Sequence, residues 1–187
     1  MSAMKFQATA LPGVVLVSAA THLDDRGGFS RTFDAAAFAA AGLPATWPQC
    51  NTSSNARRGT LRGMHFQGPP RPDPKLVRCT RGKIFDVAVD LRPGSTTFRH
   101  WFGIELSHAD RGALFIPAGC AHGFLTLEDD CEVFYMMGEI YLPELSRGVR
   151  WNDPAFGIVW PVAPVTMSAR DASWPDFEES AQSPVRR

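Results

Sequence analysis

The chain has 187 residues, 44% of them apolar and 20% charged, which is enough for one domain with its own core and too apolar for general disorder. Its 19 basic and 19 acidic side chains cancel, so no chain-wide field draws it to nucleic acid or to a membrane. The 16 glycines and 15 prolines are a density of turn formers that suits many short strands better than long helices.

In chain order, the apolar run Gly13–Ala20 is too short for a membrane span and lacks the basic flank of a secretory signal. It contains the first expected strand, Val14–Ser18, and a second is expected over Phe29–Phe33. The only helix expected is Asp34–Ala41, with Asp34 as its cap, Gly42 as its stop and Pro44 barring continuation. Strands follow at Thr60–Gln67, Lys75–Thr80, Ile84–Leu91, Trp101–Leu106, Ala113–Ile116, His122–Leu127 and Cys131–Tyr141. Turns such as Arg81-Gly82, Arg92-Pro93-Gly94 and Pro117-Ala118-Gly119 separate several of them. This spacing predicts an all-β sandwich or barrel. The domain is expected over residues 1–172, followed by a polar, loose tail over 173–187. Cys50, Cys79, Cys120 and Cys131 form no CxxC pair and are expected as the reduced thiols of a cytoplasmic protein.

Two patterns bear on chemistry. In the strand at 84–91, Phe85, Val87, Val89 and Leu91 share one face, while Ile84, Asp86, Ala88 and Asp90 share the other. The carboxylate face is either the wet side of an antiparallel sheet or a barrel interior where acids orient a site. By the same alternation His65 shares a face with Leu61 and Gly63, and Arg62, Met64 and Phe66 point the other way. Charge is also concentrated. Residues 57–82 hold six arginines and Lys75 against Asp73 alone. This is either a set of solvated strand edges or an anion site, and the excess of arginine favours phosphate-like oxygens.

The motifs LPGV (11–14), DDRGGF (24–29), QCN (49–51), GTLRGMHFQ (59–67), PKLVRCTRGKIFDVAVDLRPGS (74–95), IPAGCAHGFL (116–125), GVRWNDPAFGIVWP (148–161) and SARD (168–171), in this order, resemble the dTDP-4-dehydrorhamnose 3,5-epimerase family. The resemblance implies a cupin-type jelly-roll β-barrel with one short helix, usually a homodimer. It implies a nucleotide-diphospho-4-keto-6-deoxyhexose as substrate, with no metal and no organic cofactor. The C4 ketone of such a sugar acidifies the C–H bonds at carbons 3 and 5. An enzyme for it needs a base on one face of the ring, a proton donor on the other, and a group for the enolate oxygen.

The resemblance implies that His65 is the base, Asp171 the carboxylate that pairs with it, Tyr135 the proton donor and Lys75 the cation near the ketone. It implies that Arg26 and Arg62 bind the diphosphate, that Gln49 and Asn51 meet the nucleotide base with Phe29 packing nearby, and that Tyr141 lines the sugar pocket. Asp86 and His122 are implied as a second polar pair beside the base or the substrate. If the strand stayed regular, Tyr135 and Tyr141 would face the same way. The chain departs from the family pattern at Met136, Arg31 and Asp73, and the family includes single-centre epimerases. A metal-dependent cupin would need an HxH pair, and the chain has none. A binder without catalysis would have no use for a base opposite an acid.

Overall fold

The computed structural model describes residues 4–178. It begins with strands β1 (Met4–Ala8) and β2 (Val15–Ala19), a hairpin of β3 (Thr21–Asp24) and β4 (Gly27–Ser30), and helix α1 (Ala35–Ala40). Strands β5 (Gln49–Asn55), β6 (Leu61–Gln67), β7 (Lys75–Arg81), β8 (Lys83–Asp90), β9 (Trp101–Ser107), β10 (Ala113–Ile116), β11 (Cys120–Thr126) and β12 (Cys131–Met137) follow. The chain closes with a short strand β13 (Ser146–Gly148) and one turn of helix, α2 (Ala169–Ala172). One sheet runs β1-β2-β10-β7-β12-β5, the other β13-β6-β11-β8-β9. The fold is a cupin-type jelly roll.

The two sheets face each other across a core of Val77, Cys79, Leu114, Ile116 and Val133 from the six-stranded sheet and Ile84, Ala88, Leu106 and Phe124 from the other. The outer face of the five-stranded sheet is also covered. Met64, Val87, Val89 and Leu91 pack there against Val149, Phe156 and Trp160. The outer face of the six-stranded sheet meets Phe38 of α1, with Phe33 and Trp47 beside it. Strand β8 is therefore buried on both sides, and Asp86 and Asp90 lie on its interior face with Ile84 and Ala88. The barrel-interior alternative for the carboxylate face is the one realised. Asp90 serves structure: its carboxylate accepts from Arg92, Ser95 and Thr97.

Some expectations need correction. Asp34 does cap α1, accepting the Ala37 N–H at 3.0 Å, but the strand expected over 29–33 is the hairpin strand β4, which ends at Ser30. Strand β12 ends at Met137 rather than Tyr141. A Cβ on Gly138 would stand 2.6 Å from the Pro74 ring, so the chain turns there against the start of β7. The segment after Ser173 is docked before it leaves the described residues. Trp174 closes on Gly148, and Phe177 packs edge-on against Phe98 and at a tilt against Phe156. The remainder of the expected tail, 179–187, lies outside the described residues. Among the described residues no helix is long and apolar enough to cross a membrane.

Candidate active site

A cavity of about 730 Å³ opens between the two sheets. The five-stranded sheet contributes Arg62, His65, His122 and Phe124 to its wall, and the six-stranded sheet contributes Lys75 and Tyr135.

Strict alternation would separate Arg62 from His65, yet both line this cavity. The pairing of β6 with β11 explains why. His65 stands opposite His122 and Arg62 opposite Phe124, so three steps on β6 match two on β11. The extra residue is a β-bulge, and Gly63, at φ 139°, supplies the backbone for it. The strands also close to backbone contact: a Cβ on Gly63 would lie 2.5 Å from the Gly123 Cα.

His65 Nε2 is 2.6 Å from Asp171 Oδ1. The carboxylate comes from the far end of the chain. Residues 165–166 run beside the start of β6, where Leu61 N–H donates to the Thr166 carbonyl. Ser168 then caps α2, its hydroxyl accepting the Asp171 N–H at 3.0 Å. The second oxygen of Asp171 accepts the Gly63 N–H at 3.3 Å. Burial alone would raise the Asp171 pKa, but hydrogen bonds and the charge interaction with His65, joined by Gly63 and Ser168, outweigh it and hold the carboxyl below its ordinary range. The imidazole is therefore oriented by a carboxylate that is ionised at neutral pH.

Tyr135 faces His65 from the other sheet, and its hydroxyl has no hydrogen-bond partner among the described residues. Burial pushes its phenol pKa up; Arg62 acts against this, and Asp73 and Tyr141 add to it. The phenol is protonated through the neutral range and free to donate. Beside it, Lys75 Nζ sits 2.6 Å from Asp73 Oδ2. Burial raises the Asp73 carboxyl above its ordinary value despite that ammonium. His122 Nε2 bonds Asp86 Oδ1 at 2.7 Å, and Asp86 Oδ2 is buried without a partner among the described residues.

The other expected residues are spread more widely. Arg62 gives its Nε–H to Asn55. Tyr141 lines a smaller cavity of about 200 Å³ that shares His65, Lys75 and Tyr135 with the first. Gln49 stands behind it, its side-chain oxygen accepting the Tyr141 N–H. Asn51 donates to Met137 Sδ at 3.3 Å. Arg26 and Phe29 lie on the β3–β4 hairpin, with Arg26 paired to Asp24 and its side chain 90% exposed; neither lines either cavity. Arg170 is not among the residues the motifs imply, yet it lines both cavities. Its guanidinium is held by Ser146 and lies 5.1 Å from the Trp174 ring centroid. The signal was its place beside Asp171 in the SARD motif. Among the described residues, no three of the His, Cys, Asp and Glu side chains converge as a metal site.

A family model described as dTDP-4-dehydrorhamnose 3,5-epimerase matches residues 8–179. The chain is 44% identical over 183 residues to the dTDP-4-dehydrorhamnose 3,5-epimerase of Methanothermobacter thermautotrophicus, covering 96% of this chain and 98% of the relative. Among solved structures it is similar to a dTDP-4-dehydrorhamnose 3,5-epimerase from Bacillus anthracis with TDP and PPi bound. That match has a TM-score of 0.91 and 37% identity, and covers 94% of this chain and 100% of the other. It is also similar to a dTDP-6-deoxy-D-glucose-3,5-epimerase from Legionella pneumophila in complex with dTDP-4-keto-L-rhamnose. There the TM-score is 0.87, the identity 31%, and the coverage 94% and 100%.

Proposed function

The chain belongs to the dTDP-4-dehydrorhamnose 3,5-epimerase family of isomerases, and from that premise we propose that it inverts carbons 3 and 5 of a dTDP-linked 4-keto-6-deoxyhexose by proton transfer through an enolate. One observation carries the reading. The His65–Asp171 pair and the Tyr135 hydroxyl, which has no hydrogen-bond partner among the described residues, approach one cavity from opposite sheets, so a ring lying between them meets a base on one face and an acid on the other.

His65 takes the proton from the carbon next to the ketone, and the C–H electron pair moves into an enolate. Asp171 fixes the imidazole and offsets the imidazolium charge, as an orienting carboxylate does. The Lys75 ammonium meets the negative charge growing on the enolate oxygen. Tyr135 then protonates the carbon from the opposite face and is left as a phenolate. Solvent returns a proton to Tyr135 and removes one from His65, so the net change is inversion alone. Arg62 and Arg170 are suited to the diphosphate, since arginine forks grip phosphate oxygens in pairs. Tyr141, which shares the smaller cavity with His65, Lys75 and Tyr135, is suited to the sugar, and Gln49 and Asn51 to the nucleotide base.

Arg26 and Phe29 act in this scheme only if a second copy supplies them, because their hairpin is exposed and outside its own cavity. We therefore assign the chain to a homodimer that shares the hairpin between sites. Incubating the enzyme with dTDP-4-keto-6-deoxyglucose in D2O, with NMR at both carbons, tests the function. Deuterium with inversion at carbons 3 and 5 is expected. Inversion at one carbon makes it a single-centre epimerase, and no exchange at either overturns the reading.

A further inference from the structure

The proton-transfer scheme leaves unused a carboxylate that touches its machinery. Asp73 precedes β7, and its side chain is fully buried behind Lys75. One oxygen holds the ammonium at 2.6 Å, and the other accepts the Glu139 N–H at 3.2 Å. Between them in sequence, Pro74 accepts the Gly138 N–H through its carbonyl at 2.9 Å and seats its ring against the Gly138 backbone. Residues 73–75 are thus tied to the residues that directly follow β12, the strand that carries Tyr135.

An ammonium has three N–H donors. Asp73 takes one, and Lys75 has no other hydrogen-bond partner among the described residues. Its remaining donors border both cavities. A lysine on a flexible four-carbon stem would otherwise sample many rotamers and drift toward water. A buried carboxylate, for its part, is costly without a charge partner. Each member of the pair therefore fixes the other, and the shared anchor at 138–139 sets the pair's distance from Tyr135.

We propose that Asp73 is a positioning residue for the reaction, holding the Lys75 ammonium at the place where the enolate oxygen forms and fixing its spacing from the strand of Tyr135. This rests on the epimerase reading given above. It acts through Lys75 and does not touch substrate.

The test is a double-mutant cycle of Asp73→Asn and Lys75→Met, read by deuterium uptake from D2O into dTDP-4-keto-6-deoxyglucose, which remains measurable at low turnover. Calorimetric binding of TDP and thermal melting serve as controls. With Lys75 present, Asp73→Asn is expected to lower kcat by about 10- to 100-fold, the usual effect of misplacing a reacting group. TDP affinity should stay within about twofold. In the Lys75→Met background the same substitution should change the rate by less than about twofold, since coupled sites are not additive. Asp73→Ser, smaller and uncharged, carries the same comparison if Asp73→Asn fails to fold. An equal loss with and without Lys75, or a loss confined to TDP binding, overturns the proposal. A wild-type enzyme that exchanges no deuterium overturns the epimerase reading instead.

Discussion

His65 and His122 stand directly opposite each other in the β6–β11 ladder, and each gives its Nε2 to a carboxylate, Asp171 at 2.6 Å and Asp86 at 2.7 Å. The two pairs share a chemistry and differ in access. The His65 side chain is 40% exposed to the cavity, and that of His122 only 10%. A base must reach a proton on a ligand, so the open member of the two is assigned that task. His65→Asn should accordingly abolish both inversion and exchange of substrate C–H for deuterium. Exchange at the wild-type rate in that variant would refute the first step of the mechanism.

Tyr135→Phe should separate those two outcomes. The base can still make the enolate and return a proton to the original face. Exchange should persist in part, while inversion falls by about 10²–10⁴-fold, the usual worth of a positioned acid. NMR of the product in D2O reads both at once, and inversion at the normal rate would move the donor role to Tyr141 or water.

Asp171→Asn keeps the shape and removes the charge that stabilises the imidazolium. A rate loss on the order of 10²–10⁴ is expected in deuterium exchange. The stability consequence has a definite sign. Asp171 is held below its ordinary value of 3.8, so its contribution is complete above that pH and drains as pH falls through the lower folded value. Urea denaturation should show Asp171→Asn losing less stability than wild type between pH 5 and pH 2 (the range is approximate).

Arg62→Ala removes the guanidinium from the cavity wall, and with it the hydrogen bond to Asn55 of β5, while the backbone ladder of β6 is kept. Binding of TDP should weaken by about 1.5–3 kcal/mol, the range for hydrogen bonds to a charged partner. Unchanged affinity in calorimetry would show that the basic segment around it serves another purpose.

Gly123→Ala tests the close approach of β6 and β11. The new Cβ would lie 2.5 Å from Met64 Sδ and 2.9 Å from the Arg62 carbonyl oxygen. Overpacking of this kind should cost about 1–3 kcal/mol of stability, measurable as a lower denaturation midpoint. Because Arg62 and His65 flank the contact, activity should fall even at temperatures where the variant is folded.

Strands β7 to β11 were legible because their apolar residues alternate or run continuously, the pattern that burial between sheets requires. β5 was not, since QCNTSSN (49–55) carries no apolar face and is a strand only through its pairing with β12. The overrun of β12 has the opposite cause. Ile140 and Tyr141 continue an apolar pattern, but the contact of Gly138 with Pro74 is made by residues 64 positions apart, and nothing local announces it. Arg62, His65, Lys75, His122 and Asp171 stand in recognisable motifs, while their convergence on one cavity is not visible there. Placing Arg62 and His65 on one wall depends on the extra residue at Gly63, which breaks the two-residue period that sequence reading assumes. Asp171, read from local pattern alone, is a loop or cap residue. Its role depends on a contact across 106 positions.

That separation orders events during synthesis. Both sheets are complete by Gly148, so a ribosome has delivered every strand, with His65, Lys75 and Tyr135 in place, before it makes Ser168. A protein truncated at that point would hold every named strand, yet His65 would lack its carboxylate partner and the cavity wall would lack Arg170. Deletion at the carboxyl end would thus remove Asp171 and Arg170 together, so that turnover and the grip on a diphosphate fail in one step while the strand order is kept.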